Sequence, residues 1–170
     1  MSDLDAQFRQ LLDAHGPALW RIAGAYASGP DREDLYQDIL LQAWRSLPSF
    51  RGNASARTWL TRIAFNVSLG AVRRRDVRRT VDAPTRVEAA PSRLPPPDID
   101  AARADALDRL YAAIRQLAEA DRALVVLSLE ERPHVEIAET LGLSVSNVAV
   151  RLHRARRQLA DRLADLIPSS

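Results

Sequence analysis

Apolar residues recur along the chain at steps of three and four, the spacing that gathers side chains on one face of an α-helix, and no stretch shows the period-two alternation or β-branched run of a strand. In the first half the pattern predicts helices over about 3–14 and 17–27, with Pro17 opening the second, and then over 30–46 and 55–76. In the second half it predicts helices over about 100–117, 120–130, 133–141 and 144–165. The stretch "LPSFRGNAS", residues 47–55, makes the loop before the fourth helix. Between the halves, "TVDAPTRVEAAPSRLPPPDID", residues 80–100, is rich in Pro and poor in large apolar side chains, the composition of a linker. The expected fold is all-α: two small helical domains, residues 1–79 and 100–170, joined by a flexible Pro-rich linker over 80–99. At about 3.3 Å per residue the linker reaches on the order of 60 Å when extended. That matches roughly eighteen base pairs of B-DNA, so two domains can occupy separate DNA sites.

Three of the predicted helices have faces with distinct chemistry. In "EIAETLGLSVSNVAVRLHRARRQL", residues 136–159, a short helix meets Gly142 and then a longer helix that Ser144 can cap. Val145, Val148, Leu152, Ala155, Leu159 and Leu163 line its apolar side, and Ser146, Asn147, Val150, His153, Arg154 and Arg157 line the other. This is the pattern of a helix-turn-helix, whose second helix lies in a major groove. Val150 is apolar on a polar face, where a β-branched side chain can touch a thymine methyl. In residues 57–75, Leu60, Ile63, Ala64, Val67 and Ala71 share one side and Arg62, Asn66, Leu69 and Arg73 the other, flanked by Trp59 and Phe65. Arginine and asparagine beside aromatics suit phosphate contact, base-edge hydrogen bonding and stacking on unpaired bases. The blander reading places the two aromatics in a second packing interface. In residues 31–47, Leu35, Tyr36, Ile39, Leu40, Ala43 and Trp44 face a core, while Asp34, Gln37, Asp38, Leu41 and Arg45 form an acidic patch around an apolar Leu. Such a patch repels DNA and fits a basic protein partner; a solvated face with early acids on the helix dipole is the alternative.

Charge sharpens this picture. The formal net charge is only +2, yet acidic residues dominate 1–50 and then Arg51, Arg57, Arg62, Arg73, Arg74, Arg75, Arg78 and Arg79 face a lone Asp76. The sequence repeats the arrangement, with an acidic 94–142 followed by Arg151, Arg154, Arg156, Arg157 and Arg162. Two acidic-then-basic blocks imply two modules, each with one face for phosphate and another for a different partner. Every cation other than histidine is arginine, a bias that genome composition explains more simply than function does. With no cysteine, thiolate chemistry, disulfides and direct thiol sensing are excluded. His15, His134 and His153 are not at metal-ligand spacing, and no cofactor or metal is expected. The start "MSDLDAQFRQ" is polar and no apolar run is long enough for a membrane span, so the default is a soluble cytoplasmic protein with no membrane insertion.

Taken in order, these segments resemble the extracytoplasmic-function sigma factors of bacterial RNA polymerase, over about residues 8–163. "DREDLYQDILLQAW" resembles the family's region 2.2, "PSFRGNASARTWLTRIAFN" its regions 2.3 and 2.4, and the helix-turn-helix its region 4.2. The resemblance implies core-polymerase binding through the β′ clamp helices by Asp34, Gln37, Asp38 and Leu41, with the β flap as a second contact. It implies minus-ten promoter contacts by Phe50, Arg51 and Asn53 in the loop that pockets a flipped base, and by Trp59, Arg62, Asn66 and Arg73. It implies minus-thirty-five contacts by Ser146, Asn147, Ala149, Val150, Arg151, His153, Arg154 and Arg157. Many family members are held by an anti-sigma factor that masks both domains, and a two-domain chain with a flexible linker permits this. Three features depart from the family pattern: Gly70 stands where Asp is common, Ala149 where a long basic side chain is common, and the pair Pro133 and His134 where Ser or Gly precedes an aromatic. The Gly70 and Ala149 departures mean that promoter preference does not transfer from relatives. Two other classes fit less well. A stand-alone helix-turn-helix regulator needs neither the acidic patch nor the basic-aromatic helix. An enzyme built on His134, Glu136 and Glu139 fails on geometry, because residues two apart on a helix point about 200° apart.

Overall fold

The computed structural model describes residues 3–81 and 101–166. The chain divides into two compact units, residues 1–91 and 92–170. All regular structure among the described residues is helical. Most of the linker expected over 80–99 lies outside the described residues.

The first unit opens with α1, Asp3–Tyr26, a single helix that runs through Pro17. The expected break before Pro17 is therefore absent. Proline removes the backbone donor that would bond the Asp13 carbonyl and crowds that carbonyl, at a cost of about 3 kcal/mol in a helix interior. The opposing force is tertiary: Leu19, Ile22, Ala23 and Tyr26, all beyond the proline, are buried on the core side, each large apolar side chain contributing about 1.5–3 kcal/mol. Before it, Phe8 meets Trp44 edge-on at 5.1 Å. A break would let one half of this face leave the core.

Gly29, at φ 54°, turns the chain into α2, Pro30–Ser46, which has Pro30 in its first turn. Leu35, Ile39 and Ala43 bury its inner face. Arg32 lies across α1, with Nε and Nη2 donating to the Trp20 carbonyl at 3.2 and 3.0 Å and its guanidinium 4.3 Å from the Trp20 ring centre. This crossing requires Gly24, since a Cβ there would stand 2.7 Å from Arg32 Cζ. A 3-10 turn, Leu47–Ser49, leads to the loop and then to α3, Ala56–Val81. Ser55 caps α3, its Oγ accepting from the Thr58 N–H at 3.1 Å. The helix extends past the expected end at residue 76 and enters the first two positions assigned to the linker. The three helices pack pairwise. Arg75 ties them further, donating to the Tyr26 carbonyl at the end of α1 at 3.1 Å and facing Asp31 at 3.6 Å.

The second unit contains α4, Ala101–Ile114, α5, Glu119–Leu129, α6, His134–Leu141, and α7, Val145–Leu166. Helix α7 packs against the other three, burying Val148, Leu152, Ala155 and Leu159 with Ile114, Leu124, Leu127 and Ile137. Val145, expected in this stripe, stands at the first position of α7 and is 45% exposed. Gly142 ends α6 at φ 68° and ψ 35°, the left-handed conformation that glycine adopts without a Cβ penalty. Ser144 then caps α7, accepting from the Asn147 N–H at 3.2 Å. The turn between α5 and α6 holds Glu131 at φ 57°, and Arg132, almost wholly buried, donates to Glu136 at 2.9 Å.

Candidate polymerase and nucleic-acid interfaces

In the first unit, α2 turns one face to the core and the opposite face outward. With Leu35, Ile39 and Ala43 fixed in the core, Asp34, Gln37, Asp38 and Leu41 are all exposed, Leu41 at 45%. Two carboxylates one turn apart around a partly exposed leucine give an acidic rim with an apolar centre. A cleft of about 270 Å³ between α2 and α3 brings Asp38 and Leu41 beside Asn66 and Gly70. Two residues expected at the polymerase face, Asp38 and Leu41, and one expected at the DNA face, Asn66, therefore line the same cleft. Arg74 lines this cleft and a second one of about 240 Å³ that holds Asp31, Asp34 and Asp38. Gly70 leaves ordinary room there: a Cβ would stand 3.4 Å from Arg74 Nη1.

The loop before α3 is ordered by its own contacts. Ser49 Oγ donates to the Ser46 carbonyl at 2.7 Å and Arg51 Nη1 to the Pro48 carbonyl at 3.2 Å. Phe50 stacks on Trp59 with ring centres 4.6 Å apart and planes 30° apart. Both rings are half-buried, while Arg51 and Asn53 are exposed. The stack fixes the loop onto α3 and leaves the polar residues outside. Along α3, Arg62, Asn66 and Arg73 are exposed on one side. Phe65 does not join them: it is 4% exposed and meets Tyr26 at 6.2 Å, so it belongs to the core, as the packing alternative had it.

In the second unit, Ser146, Asn147, Ala149, Val150, His153, Arg154 and Arg157 are exposed on α7, Val150 at 70%. Arg151 departs from the expectation. Its Nη2 and Nε donate to Asp121 Oδ1 at 2.7 and 3.2 Å, and only 24% of its side chain is exposed. Position 151 lies next to the apolar stripe of Val148 and Leu152, so its side chain follows that stripe toward α5. Arg156 likewise donates to Ser128 and Arg162 to Gln116. The arginines of α7 thus divide into three that tie the helix to its own unit and Arg154 and Arg157, which face outward with His153. Asp121 has a structural role that no local sequence pattern signals, because its partner Arg151 lies thirty positions away. Glu136, weighed above as part of an acid–base group, accepts from Arg132. Among the described residues no helix is long and apolar enough to cross a membrane.

Residues 11–78 match the family Sigma-70 region 2, and residues 107–159 match Sigma-70, region 4. The chain belongs to the sigma-70 family of RNA polymerase sigma factors, within its extracytoplasmic-function (ECF) group. It is 32% identical over 157 residues to the ECF RNA polymerase sigma factor SigE of Mycolicibacterium smegmatis, covering 91% of this chain and 61% of that protein. The RNA polymerase sigma factor NccH of Alcaligenes xylosoxydans xylosoxydans is 31% identical over 156 residues, covering 89% of this chain and 84% of that one. The chain therefore spans less than two thirds of the length of SigE and most of that of NccH. Among solved structures, CnrH in complex with the cytosolic domain of CnrY superposes with a TM-score of 0.66 at 30% identity, over 95% of this chain and 90% of that one. The sigma factor RpoE of Bartonella quintana, solved with the anti-sigma factor NepR, shares the fold with a TM-score of 0.73 at 24% identity, over 93% and 97%.

Proposed function

We propose that this chain binds bacterial core RNA polymerase and directs it to promoters. In this reading the exposed face of α2, with Asp34, Gln37, Asp38 and Leu41, grips the β′ clamp, and the second unit meets the β flap. The loop at Phe50, Arg51 and Asn53, together with Trp59, Arg62, Asn66 and Arg73, takes the minus-ten element as it opens. Holding a base outside the stack offsets part of its unstacking cost of a few kcal/mol. Strand separation then draws on binding energy and needs no covalent chemistry from this chain, which works as a specificity subunit rather than an enzyme. Ser146, Asn147, Ala149, Val150, His153, Arg154 and Arg157 read the minus-thirty-five element in the major groove. An anti-sigma partner is proposed because relatives of the same fold were solved as complexes, RpoE with NepR and CnrH with the cytosolic domain of CnrY. The site of action is the cytoplasm, where polymerase works.

The observation that carries this reading is the pairing of an acidic, partly apolar face on α2 with a polar and cationic face on α3 within one small unit. A duplex-only regulator has no use for the first. The test is retention of core polymerase on the immobilised chain, wild type against the Asp34→Arg, Asp38→Arg double variant. Both positions are exposed, so the variant should keep the fold, which its far-ultraviolet circular dichroism checks. Loss of retention in the variant is expected. Wild type that binds duplex DNA but no core enzyme would leave the stand-alone regulator.

A further inference from the structure

The recognition helix is seated by two kinds of contact with different angular tolerance. Its apolar stripe, Val148, Leu152, Ala155 and Leu159, is buried, but apolar contact is non-directional and survives a small rotation about the helix axis. The Arg151 contact does not, and of the three arginine ties of α7 it is the part-buried one, those of Arg156 and Arg162 being exposed. Two donors, Nη2 and Nε, converge on one carboxylate oxygen of Asp121 at 2.7 and 3.2 Å, and the Asp121 side chain is 7% exposed. Asp121 is itself fixed: it lies in the first turn of α5, where the positive end of the helix dipole favours a carboxylate. The pair also sits beside the reading face, since Arg151 follows Ala149 and Val150 directly and lies one turn from Asn147 and Arg154.

We propose that Asp121 and Arg151 are a positioning pair that fixes the rotation of α7 on α5, and so determines which α7 side chains meet base edges. The proposal rests on the DNA-reading role given above for α7. The scale is set by geometry. Side-chain tips about 5 Å from a helix axis move about 2 Å for a rotation of about 20°. Hydrogen bonds to bases tolerate only a few tenths of an ångström, so such a rotation removes sequence readout. Phosphate contacts by flexible arginines outside the pair follow the movement. Arg151 therefore governs specificity without touching DNA.

The experiment uses holoenzyme reconstituted from the full chain and core polymerase. Binding is measured to a duplex selected from a randomised library and to non-specific duplex, across salt concentrations, for wild type, Asp121→Asn, Arg151→Gln and Arg151→Lys. The positioning role predicts that Asp121→Asn and Arg151→Gln each lower the ratio of specific to non-specific affinity by about tenfold, the scale of one lost base contact. It predicts an unchanged salt slope, and only partial rescue by Arg151→Lys, which keeps the charge but loses the planar fork. A phosphate contact predicts the opposite. Arg151→Gln then lowers the slope by about 0.9, Lys substitutes fully, and Asp121→Asn strengthens binding by releasing a cation. That result overturns the proposal. Hydrogen exchange of residues 145–152 in the free full chain supplies a readout that needs no polymerase. Asp121→Asn or Arg151→Gln alone should speed exchange several-fold, and the two combined in one chain should be no faster than either alone. Additive effects would show that the two residues act independently and end the proposal, as would faster exchange with an unchanged specificity ratio. If wild-type holoenzyme binds no DNA, the function proposed above fails, while the exchange experiment still tests the pair: coupled variants keep it as a seat for α7, and uncoupled ones remove it.

Discussion

Val150 permits a quantitative test of the proposal that α7 reads DNA. Its side chain is 70% exposed, and a β-branched residue in a helix is held in one χ1 rotamer about 90% of the time. Two methyl groups are therefore presented outward with little rotamer entropy left to lose. Contact with one thymine methyl removes about one methylene-equivalent of apolar surface from water, worth about 0.8 kcal/mol, or about fourfold in Kd. Val150→Ala deletes both methyls and, at an exposed position, should leave the fold intact. In the assay, each thymine of the upstream duplex is replaced in turn by deoxyuridine, which lacks the C5 methyl and keeps the hydrogen-bonding edge. Holoenzyme with wild-type chain should lose about fourfold in affinity at one such position, and Val150→Ala should be indifferent to that same change. If no position distinguishes the two proteins, or if Val150→Ala binds as well as wild type, the thymine-methyl contact does not exist.

Pro17→Ala should stabilise the first unit by about 2 kcal/mol, the roughly 3 kcal/mol propensity gap less up to about 1 kcal/mol for the freer unfolded chain. Urea unfolding followed by tryptophan fluorescence checks this, since Trp20, Trp44 and Trp59 all lie in that unit; a lower midpoint would mean that the proline shapes α1 productively. Gly142→Ala should destabilise the helix-turn-helix by about 1–2 kcal/mol, because an alanine must take the left-handed conformation, and hydrogen exchange in α6 and α7 should rise accordingly. Phe50→Ala should remove about 0.5–1.5 kcal/mol of ring pairing and leave Trp59 more open to acrylamide quenching, with promoter opening impaired more than core binding.

Helix periodicity made the architecture legible because each helix has a wide buried face. The acidic face of α2 and the turn at Gly142 were legible for the same local reason: an apolar stripe fixes the opposite side, and a left-handed turn favours glycine. The misreadings came from forces that act between distant positions. Pro17 is a local breaker overruled by the burial of Leu19, Ile22 and Tyr26. Phe65, by contrast, is left open by its wheel angle between the two surfaces, and its contact with Tyr26 settles it on the packed side. Arg151 looked like one cation among several until Asp121 placed its guanidinium on α5.

The most direct test of the account is transcription itself. Core polymerase, with and without this chain, is supplied with a genomic DNA library, and the 5′ ends of the transcripts are mapped. The account predicts discrete start sites that appear only with the chain and share two upstream sequence blocks at fixed spacing, with the Asp34→Arg, Asp38→Arg variant producing none. Start sites unchanged by adding the chain, from core enzyme shown to be active with another sigma factor, would contradict it.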